Sequence, residues 1–139
     1  MSRSKSLDQL LEEATKHHGH FGPFLVLGVR LALFAEESLG IKIEECFLEV
    51  PKTIPTLCTI EGVEAIVGPG RVKSRDAKKI SGTFRGRGKV VRIHVRDDVV
   101  DEFQSKCRRH YEEYLESIVP HAREVEVRSS GELFELRNR

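Results

Sequence analysis

Leu7, Leu10, Leu11 and Ala14 recur at the three- and four-residue intervals of a helix, and Ser6 with Gln9 forms a capping-box pattern ahead of them. The spacing predicts a first helix from about Leu7 to Lys16, with Gly19 as its natural stop. Pro23 suits the first turn of a second helix, because its missing N–H would be unsatisfied there anyway. From Phe24 to Phe34 that helix is apolar nearly all round, interrupted by Arg30, and it runs out through Glu36, Glu37, Ser38 and Leu39 at Gly40. A helix of this kind is buried on most faces. Gly28 inside it costs about 1 kcal/mol of helix propensity relative to alanine, so close approach of another backbone is the expected motive.

Further along, Cys46 to Val50 reads as a short strand closed by Pro51. A compact helix follows, with Thr56 as expected N-cap, Leu57, Ile60, Val63 and Val67 on its stripe, and Gly68-Pro69-Gly70 as terminator. Ile80 to Phe84 and Val90 to Val95 predict two strands joined around Gly86-Arg87-Gly88. A long helix starts at Asp97 or Asp98, marked by Val100, Phe103, Cys107, His110 or Tyr111, Tyr114 and Ile118, and Pro120 is expected to end it. Glu124 to Arg128 and Leu133 to Leu136, separated by Ser129-Ser130-Gly131, predict a terminal hairpin. The order α-α-β-α-β-β-α-β-β argues for an α+β fold, a mixed sheet with helices packed mainly on one face.

Composition narrows this picture. The 139 residues, 39% hydrophobic, suit a single domain over positions 1–139 with one core. No window approaches the roughly 20 apolar residues of a membrane span, and no signal-peptide pattern follows Met1, so the expectation is a cytoplasmic protein without a membrane partner. Cys46, Cys58 and Cys107 are odd in number and in no CxxC pair, which argues for reduced thiols. The net charge of +1 hides an asymmetry, since residues 70–96 hold ten lysines and arginines against Asp76 alone. Such a segment is either an anion site or a solvated hairpin face that pairs with acidic helices.

For chemistry, the chain offers no P-loop, no dinucleotide fingerprint and no His-Glu-x-x-His. It does offer His17-His18-Gly19-His20 at a helix junction, where a glycine turn lets two imidazoles converge. Cys58, Gly62 and Ala65 fall at i, i+4 and i+7, a face of small side chains suited to a cleft or to tight packing. Cys58 lies in the first helical turn, where the helix dipole favours thiolate.

The run His18-Gly19-His20-Phe21-Gly22-Pro23-Phe24-Leu25-Val26-Leu27-Gly28 resembles the His-Gly-His, Pro, Gly signature of the formylmethanofuran dehydrogenase E-subunit-like family. Cys58-Thr59-Ile60-Glu61-Gly62-Val63-Glu64-Ala65 is similar to that family's second block, with Glu61 where an aspartate is usual. The resemblance implies an α+β fold in which the histidine turn and the cysteine helix face each other, often around a transition metal, in proteins that tend to be homodimers and can enter a larger enzyme complex. His18, His20 and Cys58 are then the expected metal ligands.

Two imidazoles and a thiolate suit a borderline-soft divalent ion, zinc first, and three protein ligands with one open position is a catalytic pattern. Cys58 and Glu61 are the expected catalytic pair, with Glu61 as a hydrogen-bond acceptor or general base. Arg71, Lys73 and Arg75 are expected to hold a small anionic substrate or cofactor. The expectation is therefore an accessory or enzymatic domain. The alternative is a non-catalytic domain whose basic 71–96 segment takes an anionic partner, with nucleic acid the weaker choice.

Overall fold

The computed structural model describes residues 6–18, 22–53, 56–109 and 114–137, and the side chains of all of these except 17, 18, 107–109 and 114–118. The elements in chain order are α1 (Leu7–His18), α2 (Pro23–Leu39), β1 (Glu45–Val50), α3 (Cys58–Val67), β2 (Val72–Asp76), β3 (Ser81–Gly86), β4 (Lys89–Val95), α4 (Asp97–Arg109), α5 (Tyr114–Val127), α6 (Ser130–Leu133) and β5 (Phe134–Leu136). The fold is α+β, with a five-stranded mixed sheet in the order β2-β1-β3-β4-β5. Of its strand pairs, β1/β2 is parallel and the others are antiparallel.

The sheet is apolar on one face. Cys46, Leu48 and Val50 of β1 are buried while Glu45 and Phe47 are exposed, the alternation expected of a strand with one covered side. Register lines Cys46 up with Phe84 and Val91, and Leu48 with Gly82 and Ile93, so these residues build continuous rows under the helices. The open face carries rows of the opposite character: Arg85 bonds Glu45 at 3.0 Å, and Glu49 sits between Arg75 and Arg92.

Over the covered face lies α2, with Pro23 at its start and Gly40 at its end as expected. It is packed against α3 so closely that the two backbones touch. A Cβ added at Gly28 would lie 3.0 Å from Gly62 Cα and overlap the Thr59 carbonyl, and one added at Gly62 would lie 2.8 Å from Val29 N. The propensity lost at Gly28 is offset by this contact. The remaining faces of α2 are covered by α5 and the sheet, so the apolar helix finds its burial within its own chain.

Three expectations are corrected. Residues 124–127 are the end of α5 and not a strand: Ala122 and Val125 are buried at helical spacing, whereas Val127, which a strand would place beside Val125, is 79% exposed. Pro120 lies inside α5 and does not end it; the backbone bond it forfeits is offset by packing on α2 and by Arg30. The Arg30 guanidinium, half-buried in α2, donates to the carbonyls of Val125 (3.0 Å), Glu126 (3.3 Å) and Arg128. A cation on the terminal carbonyls stabilises a helix C-terminus. Ser129 to Leu133 is then a capped helical turn, with Ser129 and Glu132 in a capping box, rather than a hairpin turn, and β5 pairs with β4.

The strand β2 lies outside the expected order, because Val72 is its only apolar residue. It is an edge strand, and lysine and arginine on an edge discourage pairing with another chain. Of the expected stripe after Phe103, the side chains of Cys107, Tyr114 and Ile118 and residues 110–113 lie outside the described set.

Glu102 joins α4 to the end of α5. It takes two bonds from Arg128, at 2.7 and 2.6 Å, and one from Lys106 at 2.8 Å, while both cations lie 4.8–4.9 Å from the centre of the Phe103 ring. The Arg128 hydrogen bonds, followed by that of Lys106, lower the pKa of its carboxyl to about 2.

Two predictions arise from this packing. Gly62→Ala is expected to lower unfolding free energy by about 2 kcal/mol or more in urea titrations, despite its better helix propensity, because a helix backbone must move. The folded Glu102 carboxyl titrates below its ordinary 4.5, so the stability it contributes is complete above 4.5 and is lost as pH falls toward 2. Glu102→Gln is therefore expected to lose stability at neutral pH and to approach wild type near pH 2, as read from urea midpoints across that range.

Candidate functional site

Cys58 is the first residue of α3. The helix starts here because the carbonyls of Thr56 and Leu57 accept from Thr59 N and Ile60 N in its opening turn. The expected cap is corrected: Leu57 occupies the N-cap position, and the Thr56 hydroxyl bonds instead to Pro51 O at 2.7 Å and Thr53 O at 2.9 Å, tying the loop that leads in from β1. The Cys58 side chain is half-buried. Burial pushes its thiol up, and its own backbone N–H offsets only part of that. The thiolate expected from the helix start is thus outweighed by desolvation, and the free group is a thiol at neutral pH.

Of the histidines, His18 closes α1, and α1 packs against α3. The rings of His17 and His18, and all of His20, lie outside the described residues. Among the described residues no three His, Cys, Asp or Glu side chains gather as a metal site. Glu61, one turn after Cys58, is exposed in the first turns of α3.

The expected anion-binding residues lie elsewhere. Lys73 and Arg75 alternate with Val72 and Ser74 on β2 and share the open face with Phe47, over which the Arg75 guanidinium sits at 5.7 Å. Cys58 belongs to a helix on the covered face, so the sheet separates the two groups. Arg71, just before β2, reaches back toward Gly68 at the end of α3. Two other residues of types that often serve in active sites have plain structural roles here. Cys46 is buried among the sheet rows, its thiol pushed up to about 12 by desolvation. His94 is 4% exposed and its Nε2 lies 2.9 Å from Asp97 Oδ1 at the start of α4.

Two features escape the sequence. Thr59, fully buried beside Cys58, has a hydroxyl with no hydrogen-bond partner among the described residues; no pattern along the chain could show that lack. A cleft of about 590 Å³ opens between α1 and α3, bounded by Glu13 and Ala14 on one helix and Glu61, Glu64 and Ala65 on the other. Ala65 belongs to the small-residue face read from the sequence. Of that face Gly62 serves tight packing and Ala65 serves a cleft.

A mixed sheet covered on one face by a close helical pair, with Cys58 opening one of the two helices, defines an α+β domain. Residues 17–133 match the family described as "FmdE, Molybdenum formylmethanofuran dehydrogenase operon". The chain belongs to this family. It is also 36% identical over 67 residues to a protein of Archaeoglobus fulgidus named "Probable S-adenosyl-L-methionine-binding protein". That match takes in 45% of the chain and 18% of the relative, so the aligned part is a small fraction of the longer protein.

The contrast between the two described thiols is testable. At about pH 8, just below the ordinary thiol range, an alkylating agent is expected to label Cys58 more slowly than a free thiol, faster as pH rises, and to leave Cys46 unlabelled in the folded protein, as read by peptide mass spectrometry.

Proposed function

We propose that this domain holds a divalent transition ion, zinc first, through His18, His20 and Cys58, and acts on or binds a small substrate as an accessory or enzymatic unit. The observation that carries this reading is the half-exposed Cys58 thiol at the start of α3, on which the helix ending in His18 packs. The donor chemistry fits such an ion, since thiolate and imidazole together favour zinc over hard cations. Bound there, the ion supplies Lewis-acid chemistry.

The chain's own residues have separable roles. Cys58 must surrender a proton that burial makes it hold, so its affinity for the ion rises with pH. Glu61, one turn on, accepts a proton or a hydrogen bond from the substrate. An anionic group of the substrate is received near Cys58 rather than by Lys73 and Arg75, which lie across the sheet. Any second copy would use a surface other than α2, which is already covered. The name of the Archaeoglobus relative concerns a protein of which 18% is aligned, and no ligand is carried over from it.

A second reading has one observation in its favour: Lys73, Arg75, Arg85 and Arg92 gather on the open sheet face around Phe47. Three of the four pair with Glu45 or Glu49, so these two carboxylates offset half of the charge, and nucleic acid is the weaker occupant.

Zinc titration of untagged apo protein is expected to release protons, and to protect Cys58 from alkylation until a chelator is added. His20→Ala is expected to weaken binding by orders of magnitude with unchanged circular dichroism. Identical alkylation rates with and without stoichiometric zinc would end the shared-ion reading.

A further inference from the structure

Thr59 is fully buried in α3, and its hydroxyl has no hydrogen-bond partner among the described residues. Burying a hydroxyl unpaired costs its hydration, so such a group calls for a partner. Other threonines of the chain find theirs: Thr15 bonds Leu11 O, one turn back in α1, at 2.7 Å, and Thr56 bonds the carbonyls of Pro51 and Thr53. As the second residue of α3, Thr59 has no full turn of that helix behind it. It lies three residues before Gly62, hence on the side of α3 that meets α2, and its own carbonyl sits against Gly28.

Chain connections fix which end of the domain this is. α2 leads through five residues into the start of β1, and α3 leads through four into Val72, which pairs with Cys46 at the same end of the sheet. The two helices therefore run the same way. With Gly28 against Gly62, their first residues, Pro23 and Cys58, lie on one side of the crossing, each roughly 6–8 Å from it along the helix. His20 precedes Pro23 by three residues, a reach of roughly 10 Å of chain. His18 instead closes α1, which packs on the side of α3 that carries Glu61, Glu64 and Ala65. We propose that the Thr59 hydroxyl is a positioning group for the ion: it accepts the N–H of the His20 imidazole, on the ring nitrogen turned away from the metal, and so fixes the tautomer and orientation in which His20 binds. This rests on the shared-ion reading and adds a residue to it. A ligating imidazole has one N–H left over and needs an acceptor for it. Thr59 is a buried acceptor with no donor to serve.

The test reads zinc affinity of the untagged full chain, by competition with a chromophoric chelator, beside the urea midpoint of the apo protein. Thr59→Val keeps the shape and removes the hydroxyl, so it is expected to weaken zinc binding about ten- to a hundredfold. Its apo midpoint is expected to equal or exceed that of wild type, because an unpaired hydroxyl contributes no bond there. Thr59→Ser is expected to restore most of the zinc affinity even where its midpoint falls, since the lost methyl leaves a cavity. In His20→Ala, Thr59→Val is expected to change zinc affinity no further, whereas in His18→Ala it keeps its full effect. Equal zinc affinity in wild type and Thr59→Val would overturn the inference and leave the shared ion standing. So would a lower apo midpoint in Thr59→Val, zinc binding by Thr59→Ser as weak as by Thr59→Val, or an undiminished effect in His20→Ala. A wild type that binds no zinc would end the shared-ion reading and this inference with it.

Discussion

The contact on which the architecture depends is the crossing of α2 and α3 at Gly28 and Gly62. Interiors are packed to the density of organic crystals, so two helices whose backbones touch have no slack with which to absorb even one methyl group. This crossing sets how near Cys58, at the head of α3, comes to α2, and it presents the outer side of α3 to α1. Both Cys58 and the cleft lie along the helix that the two glycines hold in place.

Beneath that pair, the sheet settles its charges in two ways. Its covered face is built on the apolar side chains of Cys46, Leu48, Val50, Phe84, Val91, Ile93 and Val95, and its open face carries cross-strand pairs in which Glu45 and Glu49 on β1 meet arginines from neighbouring strands. Exposed pairs of this kind contribute little each, about 0–1 kcal/mol. Their effect is on character: they turn a segment that looks strongly basic along the chain into a mosaic of both signs. The basic excess of residues 70–96 in sequence is therefore offset in part at the surface by the carboxylates of β1.

A different use of charge holds the C-terminal helices. Arg30 reaches from the apolar α2 to the carbonyls that end α5, and Arg128, just beyond them, clamps Glu102 of α4. These contacts join residues 95 and 26 positions apart. Burial lowers the affinity of the Arg30 guanidinium for its proton, yet several carbonyls at once satisfy the buried cation, and an isolated buried cation would be costly.

By itself the sequence determined the elements whose signals are local. The Ser6 and Gln9 box, Pro23 and Gly40 around α2, and the short strand from Cys46 to Val50 closed by Pro51 require only neighbouring residues, and each is present. The family was legible in the spacing of the histidine and cysteine blocks, and the motive for Gly28 in its cost. Tertiary structure decided the rest. Residues 124–127 alternate like a strand, but their carbonyls end on Arg30 and Val125 is buried in the core, so long-range packing overrode local pattern. β2 has one apolar residue and exists because β1 offers it a parallel partner. The thiol of Cys58 is governed by burial that no spacing reveals, and the cleft exists only because α1 lies against α3. Local propensity reaches about one turn or one hairpin along the chain, while desolvation and cavities depend on segments that meet only when the whole chain has folded.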